Sequence, residues 1–224
     1  MSTPRAINLL RAFAALWVAI SFPLHYLFSR GMVTYFSHSE SDKGYATAGS
    51  HPLVLVWAVC SVALFTILLT IDTPGTPAGV PSRWRRLFAR FIDLCFSAAT
   101  LGSFATAVEL WIEGSRTGMY HWHFERNYSV SSDQIGFVLV PIVMALMFLY
   151  FVLPLTKGKQ TLGYFIMRLR LCPPFGTSGA FTLRSATRRI WLEVFGGWSG
   201  NMDSEGRTWC DRATNCTVML IKYQ

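Results

Sequence analysis

Two long apolar runs without a charged side chain constrain this sequence more than any other feature. Pro52–Ile71 and Gln134–Thr156 contain no Asp, Glu, Lys or Arg. Each is as long as a helix that crosses the hydrocarbon of a bilayer, which takes about 20 residues. Only 14% of the residues are charged and 52% are hydrophobic, a poor supply of charge for the surface of a soluble domain. The sequence therefore predicts an integral membrane protein.

Two further segments have the length of membrane spans. Ala12–Ser29 lies between two arginines and is long enough to cross with little tilt. A signal peptide is the alternative there, but no small-residue cleavage pattern follows, which favours an uncleaved anchor. Leu87–Ile112 reaches full length only with its charged residues near its ends. We therefore predict an all-α, multi-pass membrane protein with four transmembrane helices.

The basic residues are distributed unevenly among the segments that flank these spans. Two lie in residues 1–11, three in the loop 72–86 and ten from Lys157 onward, whereas 30–51 and 113–133 hold two each. The positive-inside rule then places the N-terminus, the middle loop and the C-terminal tail in the cytoplasm. The net charge of +8 also predicts attraction to anionic lipid head groups. Because the charges are dispersed at membrane edges, nucleic-acid binding is not expected.

The position of a segment rich in proline and glycine predicts three regions in the chain. The Pro- and Gly-rich segment 73–83 is expected to be a linker between an N-terminal hairpin, 1–72, and a second region, 84–224, with two spans and a basic tail. Within that tail, alternation at Met167–Leu171 suits a short strand or an interfacial segment. The stretch 184–200 has basic residues followed by an apolar part too short to span, which predicts an amphipathic helix at the cytoplasmic interface.

The fourth candidate span begins with charged residues on one face. Arg86, Arg90 and Asp93 fall at i, i+4 and i+7, so a helix places them in one stripe. Charges in a span face the bundle or water and seek partners, so Arg90 and Asp93 are expected to pair while Arg86 reaches toward head groups. The stripe suits either a cytoplasmic anchor or an ion or proton pathway. Glu109 lies about 24 Å farther along the axis on another face, which weakens a simple relay.

Three segments, in order, resemble the RDD family of membrane proteins, which is named for an arginine and two aspartates. "RRLFARFID" is similar to the start of the family's first transmembrane helix, and "KQTLGYFIMRLRL" to the segment after its second. "WCDRATNCTVML" is similar to the terminal Asp-Arg block. The residues that match are Arg86, Ala89, Ile92, Asp93, Gln160, Thr161, Leu162, Gly163, Asp211, Arg212 and Asn215.

The resemblance covers about residues 84–220 and carries expectations of its own. It implies that Arg86, Asp93 and Asp211 meet at the cytoplasmic face, with the terminal block folded back onto the first family helix. Family members usually have a third transmembrane helix before that block, where this chain has only the short stretch Ile190–Ser199. Some members are proposed to exchange sodium ions for protons, and others look like accessory components of membrane assemblies.

All five histidines fall on the predicted outer side of the membrane. His121 and His123 offer two imidazoles to zinc or copper, and His38 or His51 would complete a site. A pH-sensing outer face and ordinary hydrogen bonding are the alternatives. We predict no cofactor.

Two functional hypotheses remain after enzymes are set aside. No nucleophile–base arrangement, phosphate-binding glycine loop or His-Glu-x-x-His motif stands in the sequence, so we do not expect an enzyme. The first hypothesis is a non-catalytic accessory subunit that packs against other membrane subunits or against copies of itself. The second is a small ion- or proton-coupled transporter that uses Asp93, with Arg86 and Asp211 as counter-charges. The missing third helix favours the first.

Overall fold

Four long helices dominate the protein, in agreement with the four predicted spans. A computed structural model describes residues 3–28, 34–37, 44–73, 75–128, 135–172, 180–195, 203 and 206–223. The long helices are α1 (Pro4–Phe28), α2 (Pro52–Thr70), α3 (Arg83–Thr117) and α4 (Ile135–Thr156). Each contains a segment long and apolar enough to cross a membrane. The family-typical third helix has no counterpart among the described residues after Thr156, where the longest helix has 13 residues.

Helix α1 begins eight residues before the predicted span. Pro4 occupies the first helical position, where its missing N–H costs nothing, and the Thr3 hydroxyl accepts the backbone N–H of Ala6. Start signals of this kind override the hydropathy boundary, because a helix continues into the interface as long as its backbone remains hydrogen-bonded.

The prediction of an all-α fold was wrong, because the chain also forms two three-stranded antiparallel sheets. The strands are β1 (Thr34–Ser37), β2 (Gly44–Gly49), β3 (Thr76–Gly79), β4 (His123–Tyr128), β5 (Leu169–Cys172) and β6 (Thr217–Lys222). One sheet has the order β1-β2-β4 and the other β3-β6-β5. Of the two alternatives predicted for Met167–Leu171, a short strand or an interfacial segment, β5 agrees with the short strand. The other strands have only four to six residues each, and most of their pairings join segments far apart in the sequence, so a local pattern did not identify them.

The segment predicted to be a linker takes part in the second sheet. Thr76 lies opposite Lys222 and Pro77 opposite Ile221, with an irregularity before Gly79. A proline is compatible with this position because β3 is an edge strand, where a missing N–H breaks no ladder.

Three short helices follow α4: α5 (Leu162–Ile166), α6 (Leu183–Phe195) and α7 (Trp209–Ala213). Helix α6 is amphipathic, since Ala186 and Ile190 are buried while Arg184 and Arg188 are exposed. Its location at the membrane interface, like the orientation of both termini, remains a prediction.

The chain forms two compact units. Unit 1 comprises residues 1–18, 64–95 and 148–224, and unit 2 comprises 19–63 and 96–147. Each unit draws on residues from either side of the segment 73–83. In unit 1, a hydrophobic core joins Ala89 of α3 and Val152 of α4 to Leu169 of β5, Ile190 of α6 and Val218 of β6.

A buried charge network as the candidate functional site

The Asp211 side chain is fixed by hydrogen bonds at the start of its own short helix, α7. The Thr208 hydroxyl accepts the backbone N–H of Asp211, and the Asp211 carboxylate accepts the backbone N–H of Thr208, which together form a capping box. Arg86 Nη1 then donates to Asp211 Oδ2 at 2.7 Å, and the aspartate is fully buried. The expected return of the terminal block to the first helix of the family region is therefore confirmed for this pair.

A second arginine, which the sequence did not predict as a site residue, shares the same carboxylate. Arg189 Nη2 lies 2.5 Å from Asp211 Oδ1 and 2.8 Å from Glu193 Oε1. Glu193 also forms an ion pair with Arg90. We call these five side chains, in the order Arg86, Asp211, Arg189, Glu193 and Arg90, the charge network. It connects α3, α6 and α7. In the sequence, Arg189 and Glu193 are four residues apart, a spacing that places them on one face of a helix.

The arginines keep both carboxylates of the network ionised. Burial raises the pKa of Asp211, but Arg189 and Arg86 outweigh it and bring that pKa below its usual value. Burial likewise raises the pKa of Glu193, and Arg90 and Arg189 outweigh it, so the net shift is again downward. Burial lowers the pKa of Arg189, yet Glu193 and its other neighbours leave the pKa above its ordinary value. Arg189 therefore stays charged despite being 2% exposed.

Asp93 has a different environment from the carboxylates of the network. It is fully buried and accepts three hydrogen bonds from neutral donors. These come from Tyr150 Oη at 2.8 Å, Thr161 Oγ1 at 2.6 Å and Gly163 N at 2.7 Å. The predicted Arg90–Asp93 ion pair was wrong: among the described residues Arg90 pairs with Glu193, and its guanidinium lies 4.6 Å from the centre of the Tyr164 ring. Asp93 also takes no part in the Arg86–Asp211 ion pair.

Glycine at position 163 allows the donors to reach Asp93. A Cβ atom there would overlap the carbonyl oxygen of Ala89 and press on the Asp93 carboxyl group. The absence of a side chain lets α5 approach α3 closely enough for the Gly163 N–H to reach the carboxylate. Thr161 and Gly163 belong to the Gln-Thr-Leu-Gly segment, so that motif supplies two of the three donors.

The other predicted site residues lie apart from the network. Arg212 is exposed and pairs with Asp203 at 3.4 Å, outside the charge network. Glu109 is buried in unit 2. His51, His121 and His123 line one pocket of about 730 Å³, whereas His38 lies outside the described residues. No three potential ligands in the described part of the chain are placed to hold a metal ion.

The sequence was compared with models of known protein families, and one of them matches the region that contains these charged residues. The sequence model of the RDD family matches residues 80–221, more than half of the chain. The chain belongs to the RDD family. The matched range of this RDD protein contains the whole charge network and Asp93 with its three donors, while α1 and α2 lie before it. Searches of curated proteins and of solved structures gave no match.

Proposed function

We propose that this RDD protein is a non-catalytic accessory subunit of a larger membrane assembly, with both termini in the cytoplasm. The observation that carries the proposal is the closure of the charge network: each of its five members has an ion-pair partner inside unit 1. A buried arginine or carboxylate whose partner is removed is strongly destabilising. A network that pairs its charges internally therefore serves to fix α3, α6 and α7 in one arrangement that another subunit can recognise.

The start of α3 supports an anchoring role at the membrane edge. Arg83 and Arg85 are exposed there, and Trp84 between them is 68% exposed. Arginine and tryptophan side chains both favour the head-group region, and arginines are retained on the cytoplasmic side. The proposed partners are therefore anionic lipid head groups together with other membrane subunits or further copies of this chain.

Native mass spectrometry of the full chain, extracted gently from its own membrane, tests the accessory role. We expect an assembly of fixed stoichiometry that contains this chain and at least one other membrane protein. The Arg86→Met variant breaks the network and should lose that assembly, whereas Arg85→Met changes an exposed neighbouring arginine and should retain it. A chain that is recovered as a monomer or homodimer, and that moves ions in vesicles, would contradict the proposal.

Transport by Asp93 is the second candidate, and a specific observation favours it. Asp93 lies on a helix that is long and apolar enough to span a membrane, and its hydrogen bonds come from two hydroxyls and one amide rather than from a cation. A carboxylate without an ion-pair partner can exchange a proton for a monovalent cation more readily than one bound to arginine.

Sealed vesicles containing the purified protein separate this candidate from the first. If Asp93 carries transport, a pH gradient will dissipate on addition of sodium or potassium, and Asp93→Asn will abolish that flux. Asp72→Asn is the matched control, because Asp72 is an exposed carboxylate between spans that pairs with Lys159 at 2.5 Å. Equal flux in the wild type and Asp93→Asn would leave transport by this residue unsupported.

A further inference from the structure

Arg86 and Arg189 bind the same carboxylate, but they use their donors differently. In Arg189, Nε donates to Glu193 at 2.9 Å and Nη2 contacts Asp211. Its Nη1 donates to Thr214 Oγ1 at 3.1 Å, so all three nitrogens are engaged. Arg86 is 8% exposed and donates to Asp211 through Nη1. Its Nε and Nη2 are buried, and neither has an acceptor among the residues that the structure describes.

These two nitrogens of Arg86 form one edge of the guanidinium plane. Nη1 lies on the same side of the Nε–Cζ bond as Cδ, so the Nε–H points to the other side, parallel to one N–H of Nη2. Two parallel N–H groups match two oxygens of a single carboxylate or phosphate. A buried donor without an acceptor destabilises a fold, so an oxyanion at this edge would relieve two such donors together.

The nearby carboxylates do not supply this acceptor. Oδ2 of Asp211 accepts the Thr208 N–H at 2.8 Å as well as Arg86 Nη1, and Oδ1 faces Arg189. The capping box of α7 holds the carboxylate in that orientation. Asp93 lies seven residues beyond Arg86 on α3, about 10 Å along the axis, and accepts its hydrogen bonds from neutral donors. The acceptor must therefore come from another group.

The charges around the edge favour an anion. The charge network contains three arginines and two carboxylates, so its formal charge is +1. Arg83 and Arg85 in the first turn of α3 are exposed, and the sequence has no Asp or Glu between Asp72 and Asp93. Helical side chains lean toward the N-terminus, which brings the Arg86 guanidinium toward that turn. The N-terminus of the helix adds a partial positive charge of its own.

We propose that the Nε–Nη2 edge of Arg86 binds a phosphate group at the start of α3. Two phosphate oxygens accept the two N–H groups, while Nη1 remains on Asp211. The exposed Arg83 and Arg85 in the same turn attract the remaining negative charge. A lipid head group and free phosphate both present these oxygens. The proposal does not rest on the accessory role, because the edge belongs to a single chain.

Titration of inorganic phosphate onto the purified full chain, stripped of lipid in a phosphate-free detergent, tests the edge. The wild type, Arg86→Lys and Arg85→Lys carry the same total charge. Arg86→Lys keeps a cation for Asp211 but loses the planar fork, so its affinity for phosphate should fall about tenfold or more, the effect of one charge-assisted hydrogen bond. Arg85→Lys should bind like the wild type. Equal affinities in the two variants, or no binding by the wild type, would overturn the proposal.

Solid-state NMR of the wild type tests the contact without a variant and identifies the source of the phosphate. The chain carries nitrogen-15 in its arginines and is placed in phospholipid bilayers. Because Arg86 Nε is buried, only the Nε signals that keep their hydrogen in heavy water are selected. Phosphorus-31 should dephase one of them.

The two possible sources give different results in this measurement. Dephasing in bilayers without inorganic phosphate assigns the group to a lipid, whereas dephasing that requires added inorganic phosphate assigns it to the free ion. The absence of dephasing under both conditions would overturn the proposal. Neither experiment involves a second protein, so its failure is distinct from failure of the accessory role.

Discussion

The arginines of α3 in unit 1 and two of its hydroxyls in unit 2 are satisfied in different ways. In unit 1, Arg86 reaches a carboxylate 125 residues away, and Arg90 pairs with Glu193 of α6. In unit 2, Ser103 and Thr106 donate to the carbonyls of Ala99 and Gly102, each four residues earlier on the same helix. A hydroxyl on a helix can donate to a carbonyl in the preceding turn of the same helix.

This contrast shows what each kind of polar group demands of the fold. A buried ion needs an opposite charge or several hydrogen bonds, so distant segments must converge on it. A buried hydroxyl needs one acceptor, and the preceding turn of a helix supplies one. Unit 1 should therefore be sensitive to the loss of a single partner, and unit 2 should tolerate the loss of a hydroxyl.

The largest effect is expected from Asp211→Asn. This change leaves Arg86 and Arg189 facing one neutral amide, and breaking a buried pair of this kind costs about 3–5 kcal/mol. The free energy of unfolding in detergent micelles should fall by that order. Asp203→Asn alters a partly exposed carboxylate nearby and is the control. Similar stability in the two variants would contradict the role assigned to the network.

Gly163→Ala should have the next largest effect. The new methyl group would overlap the Ala89 carbonyl, so α5 must move and the N–H bond to Asp93 must lengthen, with a cost of about 1–3 kcal/mol. Gly102→Ala, on α3 where the added atom meets open space, should instead stabilise by about 0.5–1 kcal/mol. Thermal unfolding of both variants measures these effects. Equal shifts of the unfolding temperature would contradict the requirement for close approach of α5 to α3.

Acid should weaken unit 1 through the same carboxylates. The pKa values of Asp211 and Glu193 lie below their usual values in the folded state. Their contribution to the free energy of unfolding is therefore complete above the ordinary carboxyl pKa of about 4. It is lost as the pH falls through the lower pKa values of the folded state. Unfolding measured between neutral pH and about pH 3 should show this loss, and the pH dependence should be shallower in Asp211→Asn. If stability depends on pH equally steeply in the wild type and in Asp211→Asn, Asp211 does not contribute to the loss of stability in acid.

The smallest effect is expected in unit 2. Thr106→Val removes the hydroxyl that donates to the Gly102 carbonyl at 3.0 Å. That carbonyl keeps its helical N–H partner, so no acceptor is orphaned and the cost should stay below about 1 kcal/mol. Chemical denaturation compared with Asp211→Asn measures the ratio of the two effects. If Thr106→Val lowers the free energy of unfolding as much as Asp211→Asn does, the proposed difference between the two units is wrong.

Much of the architecture could be predicted from local patterns, while the site could be predicted only in part. The four spans and the amphipathic character of α6 follow from the spacing of apolar residues over a few turns. The pairing of Arg86 with Asp211 followed from the family resemblance. Arg189 and Glu193 were missed because a charge pair four residues apart is common on solvated helices, and nothing local indicates that this one is buried.

The sequence by itself determined that this chain enters a membrane, which segments are long enough to cross it, and which family it belongs to. These are properties of composition and order over short stretches. The tertiary structure alone decided that Arg90 pairs with Glu193 while Asp93 receives two hydroxyls and the N–H of Gly163. The physical reason is that a buried charge is satisfied by whichever donors or acceptors the packing brings within hydrogen-bond distance. A backbone donor such as the N–H of Gly163 cannot be recognised from the pattern of side chains in the sequence.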